Sequence, residues 1–429
     1  MNVLLSAIDI LAAAGGGSSS FGGGGGGGGG FSSGGGSSSG GSSGGGSIWP
    51  FLIFAAIVAA VMLYGWFQVR RLRRKRRERD AQVRLASAEA AADDAYFAHD
   101  EVERDAVALF LAVQHAWSTN DVDALRGMVG NDLMVEWERR LRDFAGKGWR
   151  NVCMVHGTPE LRYVGLVNRE DDDEDRVTVH LTATMDDYVL DRNGAKITHN
   201  ESSSERRVLE EYWTLARRGD RWMLASIEQD AEGHHHLDAE IVASPWSDSR
   251  LRDDALVQLA GADAVVGDGV SAGELVSVDY AEDAHAAALD LSLVDARFGP
   301  DILEAAARRA LAGWAEAVDG EDAALEAVAT PDAIRALLYA DDAAKHRIVV
   351  RGPRLQQLRI TALDGKATPP TMDVAATVRG RRYVEDRDTA AVVSGSRDGE
   401  ATFTVALRMA LDGEGPAAWR VVAAGAPVG

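Results

Sequence analysis

Cysteine is nearly absent: Cys153 is the only one in 429 residues. No disulfide can therefore form within the chain, which agrees with a reducing compartment. The apolar setting of that residue, Val152-Cys153-Met154-Val155, is that of a small core side chain. Also missing are a phosphate-binding Gly-rich loop, paired zinc cysteines and a serine nucleophile elbow. Positive charge is scarce overall, with 45 Lys and Arg against 66 Asp and Glu and a net charge of −21. That deficit argues against a nucleic-acid partner, since phosphate binding is driven by Lys and Arg.

Charge is missing altogether from Ile48 to Val69, 22 residues in a row. A helix of that length reaches about 33 Å, enough to cross a bilayer's hydrocarbon core. Pro50 would sit in its first turn, where a missing N–H costs nothing. Trp49, Tyr64 and Trp66 fall near its ends, at headgroup depth. Eight of the next ten residues are basic: Arg70, Arg71, Arg73, Arg74, Lys75, Arg76, Arg77 and Arg79. Basic flanks stay on the cytoplasmic side, so the sequence predicts a single-pass plasma-membrane protein with its N-terminus outside and residues 70–429 in the cytoplasm. The same eight residues are the candidate contacts for anionic lipid headgroups.

Ahead of the span, residues 15–47 contain only Gly, Ser, Phe21 and Phe31. Such a tract buries almost nothing against a large entropy loss, which predicts a disordered segment over 1–47. It cannot be a set of phosphate loops, because no strand precedes it and no Lys-Ser/Thr follows. Met1–Ala14 lacks the basic n-region of a secretory signal, while Ala12–Ala14 leave a cleavage site as an alternative to an apolar tip.

After a basic juxtamembrane helix or linker over 70–92, the chain repeats itself. Asp94-Ala95-Tyr96-Phe97 returns as Asp295-Ala296-Arg297-Phe298, and Tyr188-Val189-x-Asp191-Arg192 as Tyr383-Val384-x-Asp386-Arg387. Val155-His156-Gly157 answers Val350-Arg351-Gly352, and the Trp213-Thr214-Leu215 stretch answers Phe403-Thr404-Val405. Each copy opens with an amphipathic helix (Val107, Phe110, Leu111, Trp117; then Leu303, Ala306, Ala310, Trp314). Two shorter helices follow in each, over Asp121–Val129 and Asp132–Phe144, then Gly320–Ala329 and Pro331–Ala344. Arg176–Met185 alternates apolar and polar residues like a half-buried antiparallel strand, and Asn193-Gly194 and Arg218-Gly219-Asp220 supply turns. Helices first and strands after mean an α+β fold. The expectation is two tandem cone-shaped domains, 93–240 and 291–429, with helices packed on a curved antiparallel sheet. A connector over 241–290 joins them, with a helix over Arg250–Leu259 and a loop over Gly267–Ala272.

This arrangement resembles the bacterial relatives of the translocase-of-inner-membrane subunit 44 family, whose cone is of the nuclear-transport-factor-2-like type. The likeness rests on Ala108–Trp117, Asp121 and Leu125, Gly148-Trp149-Arg150-Asn151, Glu211-Tyr212-Trp213-Thr214, Arg221-Trp222 and Ile227-Glu228-Gln229. It covers 93–240 well, and the second copy keeps the pattern with most side chains replaced. The resemblance implies a non-enzymatic, membrane-associated domain that contacts anionic lipid and translocation partners. The region with which the mitochondrial member tethers its motor has no counterpart here.

Candidate chemistry is sparse. His234-His235-His236, with Glu232 and Asp238 nearby, could form a weak metal site, but a solvated exit from the last strand is the plainer reading. Glu170–Asp175, six acidic residues in a row, reads as a hairpin tip held in water; it lacks the spacing of a calcium loop. His180 falls on the polar face of its strand and is expected exposed. Trp117, Tyr188, Tyr212, Trp213 and Trp222 are cone-lining or core residues. A pocket pairing Asp187 or Asp191 with a tyrosine would make the first cone an isomerase-like enzyme or small-molecule sensor. The favoured reading is a membrane-tethered scaffold or adaptor, in protein translocation or envelope processes, without catalytic residues, metal or cofactor. Its protein partner is unknown, and nothing decides between monomer and homo-oligomer.

Overall fold

The computed structural model describes residues 49–197, 206–248, 278–412 and 418–428, without the side chains of 49–56 and 426–428. The Gly/Ser tract and the expected elements at 250–259 and 267–272 lie outside them. The chain is α+β. Helix α1 (Trp49–Asp93) runs unbroken through the basic stretch. It leads into α2 (His99–Thr119), α3 (Val122–Arg126) and α4 (Asn131–Lys147). A sheet follows, made of β1 (Arg150–Val167), β2 (Arg176–Leu190), β3 (Lys196–Ile197), β4 (Arg206–Arg218) and β5 (Arg221–Gln229). It is antiparallel, in the order β1-β2-β4-β5 with β3 on β2.

The second sheet is built from β6 (Val278–Tyr280), β7 (His346–Asp364), β8 (Thr371–Asp386), β9 (Val392–Gly395), β10 (Ala401–Leu411) and β11 (Trp419–Val428). Its order is β11-β10-β8-β7-β6, and the short β6 is parallel to β7. Its helices are α5 (Glu282–Ser292), α6 (Pro300–Asp319), α7 (Ala323–Glu326) and α8 (Pro331–Leu338). Each sheet packs its own helices against its own hydrophobic core.

Local chemistry sets the same features in both halves. Asp94 caps a 3-10 turn by accepting from the Tyr96 N–H, and Asp295 does so from the Arg297 N–H. Phe97 meets Trp222 edge-on at 5.6 Å, and Phe298 meets Trp419 at 5.7 Å. Val129 bridges to Leu224 as Ala329 does to Val421. Gly194 and Gly219 take the left-handed φ that their turns require.

Two expectations need correction. The last helix of the second half ends at Leu338 rather than Ala344, because Tyr339 turns extended and bridges to Arg347. The outer face of strand β2 is also less solvated than its alternation suggests: Thr178 and His180 are buried, and Thr182, Thr184, Asp186 and Tyr188 are half-buried.

Candidate functional site

Helix α1 changes character along its length. Ile57, Val61, Met62, Leu63, Tyr64, Trp66, Phe67 and Val69 are all at least half exposed. Among the described residues no helix is long and apolar enough to cross a membrane; the predicted span Ile48–Val69 begins outside them. Farther on, Arg79, Val83, Ser87 and Ala90 are buried at helical spacing, so one stripe is packed on the first sheet. The eight candidate lipid contacts divide along that stripe. Arg70, Arg71, Arg73, Arg74 and Arg77 are exposed, Arg74 pairing with Glu78 at 2.7 Å. Lys75 reaches Asp238 at 2.6 Å and Arg76 reaches Asp230 at 2.6 Å. Arg79 is buried and donates to the carbonyls of Val164 and Ala239 at 2.6 and 2.7 Å. Burial pulls its guanidinium down to about 10, with Asp238 opposing. These three cations serve the protein's own fold.

The interior of the first sheet is filled. Trp213 packs edge-on against Phe110 at 5.2 Å, and Trp117 against Trp137 at 5.0 Å. Trp222 belongs to the same core. Tyr188 and Tyr212 sit on the opposite face, because successive strand residues alternate. Tyr188 is half-buried beneath Lys196, whose ammonium lies 4.1 Å above the ring. Tyr212 is buried with Val164 and Leu237 in a small cluster of its own. An Asp–Tyr pair is therefore not assembled: Asp187 points inward, and Asp191 is spent accepting the Asn193 and Ala195 N–H groups of a turn.

A polar cluster survives inside that core. The Asn151 amide nitrogen donates to Asp187 at 2.7 Å, and its oxygen accepts from Trp117 Nε1 at 2.9 Å. Arg207 pairs with Asp187. Burial raises the Asp187 carboxyl, with Arg207 opposing. Glu211 accepts from Trp213 Nε1 at 2.9 Å, and desolvation pushes its carboxyl up to about 8. Among the described cavities, those that approach this sheet open on its outer side or on the acidic turn.

Two further corrections concern histidines. His180 is buried, not exposed; its Nε2 lies 3.1 Å from Asp230 and its ring meets Tyr212 edge-on. His234–His236 form no solvated exit. They lie in a 3-10 turn, Gly233–Leu237, folded flat on Tyr212; a Cβ at Gly233 would strike that ring. His235 Nε2 and His236 Nε2 each lie 2.7 Å from an oxygen of buried Glu228. Burial opposes ionisation of Glu228, but His235, His236 and Arg351 outweigh it and hold its carboxyl well below the usual range. The acidic run Glu170–Asp175 does form the β1–β2 turn, yet Asp175 is buried beside Arg217, and desolvation raises it to about 7.

A seam of buried charge joins the two sheets. Arg351 is buried, donates to Asp319 at 2.6 Å and reaches the Ile227 carbonyl at 3.3 Å. Gly352 has φ +56°, and a Cβ there would lie 2.5 Å from that of His235. From α4, Arg140 pairs with Glu385 at 2.9 Å, while Glu136 takes Arg387 at 2.7 Å. Glu385 is also held by Arg397 at 2.9 Å, yet desolvation keeps its carboxyl up at about 8. At the far end Arg176 and Arg218 share Glu321. Sequence reasoning missed this seam. One signal was present: at the position the sequence pattern matches to Leu190 of the first half, the second half has Glu385, a charge in place of an apolar residue.

No curated protein matches the chain. Among solved structures, the intermembrane space region of chloroplast protein ARC6 shares 13% identity at a TM-score of 0.23, over 29% of this chain and 94% of that one. An Ntf2-like protein involved in plasmid conjugation shares 8% at a TM-score of 0.18, over 72% and 87%. Both likenesses are too slight to define a fold. The family comparison is firmer: residues 83–229, from the packed end of α1 through β5, match the model of the Tim44-like domain.

Proposed function

We propose that the chain is a single-pass membrane scaffold or adaptor whose two halves are copies of one cone-shaped unit, presented to the cytoplasm on α1. The Tim44-like match over 83–229 supports a membrane-associated, translocation-related role. The observation that carries the reading is the division of α1. Its first part exposes large apolar side chains, five exposed arginines follow, and the remainder is packed on the first sheet. A soluble helix does not leave so many large apolar residues in water, whereas lipid would cover them. Arg70, Arg71, Arg73, Arg74 and Arg77 are the cations left for anionic headgroups; Lys75, Arg76 and Arg79 fix the height of the body above them.

The rival reading, a sensor or isomerase-like enzyme using the first cone, needs an open interior. The packing of Trp117, Trp213 and Trp222 favours the scaffold instead. Topology is tested by adding protease to intact, wall-stripped cells that carry a C-terminal tag. The tag should survive until the membrane is permeabilised; digestion in intact cells would overturn the proposal.

A further inference from the structure

The turn after β5 brings together metal-capable side chains for which the proposed scaffold role has no use. Glu228 is 1% exposed, and its two oxygens each face a histidine nitrogen. The rings of His235 and His236 lie 4.0 Å apart. One ligand atom from each of the three residues falls within 4.8 Å of the others. From the second half, Asp319 places Oδ2 3.7 Å from His235 Nε2. Arg351 holds the other oxygen, Oδ1, at 2.6 Å, which orients Asp319 toward the histidines.

We propose that Glu228, His235, His236 and Asp319 form a divalent-cation site of the zinc class, binding one ion between the two sheets. Two imidazole nitrogens and two carboxylates are a donor set that suits zinc. Ligands about 2.0–2.2 Å from a shared tetrahedral ion stand roughly 3.3–3.5 Å apart. The present 2.7 Å contacts therefore need to open by less than about 1 Å, while Asp319, 3.7 Å from His235 but outside the tight group of the other three ligands, has to swing toward the ion. Two ionised carboxylates with neutral imidazoles balance the ion's charge; Arg351 opposes it electrostatically while acting as the outer partner that aims Asp319. A cavity of about 290 Å³ lined by Glu228, His236 and Asp319 adjoins the site. The neighbouring group of His180, Glu210 and Asp230 is a poorer candidate, since Arg76 already occupies Asp230 at 2.6 Å and Glu210 is exposed.

The test uses the full chain in detergent, stripped with chelator, loaded with Zn²⁺ or Co²⁺ and desalted. Close to one metal per chain is expected by mass spectrometry, with the strong visible bands of four-coordinate Co²⁺. Zinc at a hundredfold excess over Kd should raise the melting temperature by about 5 °C. Affinity should fall at least a hundredfold in His235→Asn and His236→Asn and about tenfold in Asp319→Asn, while His180→Asn retains it. The melting rise in the unmutated chain keeps the test decisive if a histidine variant fails to fold. The site is overturned by no retained metal, or by equal retention in the His235 and His236 variants. Unchanged affinity in Asp319→Asn overturns the bridge between sheets.

Discussion

Glu211 offers a direct measure of how dry the first core is. Its carboxyl is buried on the inward face of β4 with Trp213 Nε1 as its donor. Desolvation lifts it to about 8, and Asp187 adds to the rise against the pull of Arg207. The sign follows from linkage: the folded chain holds this proton more tightly than the unfolded chain, whose carboxyl titrates near 4.3. Its stabilising contribution is complete below about pH 4 and is lost progressively as pH rises toward 8, then levels off. Between pH 5 and 8 that loss amounts to about 3 kcal/mol, at about 1.4 kcal/mol for each unit of pKa difference. In Glu211→Gln the amide stands in for the protonated acid and still accepts from Trp213, so the variant should escape the loss. Thermal melts of both proteins from pH 5 to 8 should converge at the acid end. By pH 8 they should separate by about 6–12 °C, with the variant the more stable. Other titrating groups cancel in the difference. Parallel curves would refute the reasoning and mean that water reaches Glu211, reopening the case for a pocket inside the first sheet.

The seam can be tested by breaking it. Arg387→Ala leaves Glu136 buried and unpaired, at an expected cost of about 3–5 kcal/mol in denaturant unfolding. Glu136→Met with Arg387→Met should recover most of that; equal losses would contradict the assignment. Gly352→Ala should cost more than Gly157→Ala, since both glycines have positive φ but only the former would meet His235. Equal melting temperatures would remove the close contact. For residues 70–429, changing Arg70, Arg71, Arg73, Arg74 and Arg77 to Gln should weaken sedimentation with anionic vesicles at least tenfold and abolish its salt dependence. Changing Lys75 and Arg76 alone should leave vesicle sedimentation within twofold; a larger drop there would assign the lipid contact to the wrong face.

Much of the architecture could be read from residue patterns because it rests on local rules. Asp94 and Asp295 are capping residues wherever they begin a turn, Asn193-Gly194 needs a left-handed residue, and the alternation in β2 marks one inward face. The inward tryptophans were legible for the same reason. What could not be read is what covers the other face. His180, Tyr212 and Glu228 lie on the side that a lone sheet would give to water, and only the return of α1 and of the 233–237 turn buries them. The seam is likewise long-range: Glu136 and Arg387 are 251 residues apart, and nothing local ties an acid on one helix to an arginine on a distant strand.

Because α1 has no break between its apolar stretch and the sheet it supports, it behaves as a stiff lever rather than a leash. From Val69 to Asp93 it extends about 36 Å. Under the proposed topology, a span leaning by about 20° would swing the lever's far end sideways by roughly 12 Å. Bilayer thickness or a neighbouring helix could thus steer where the body points without touching it.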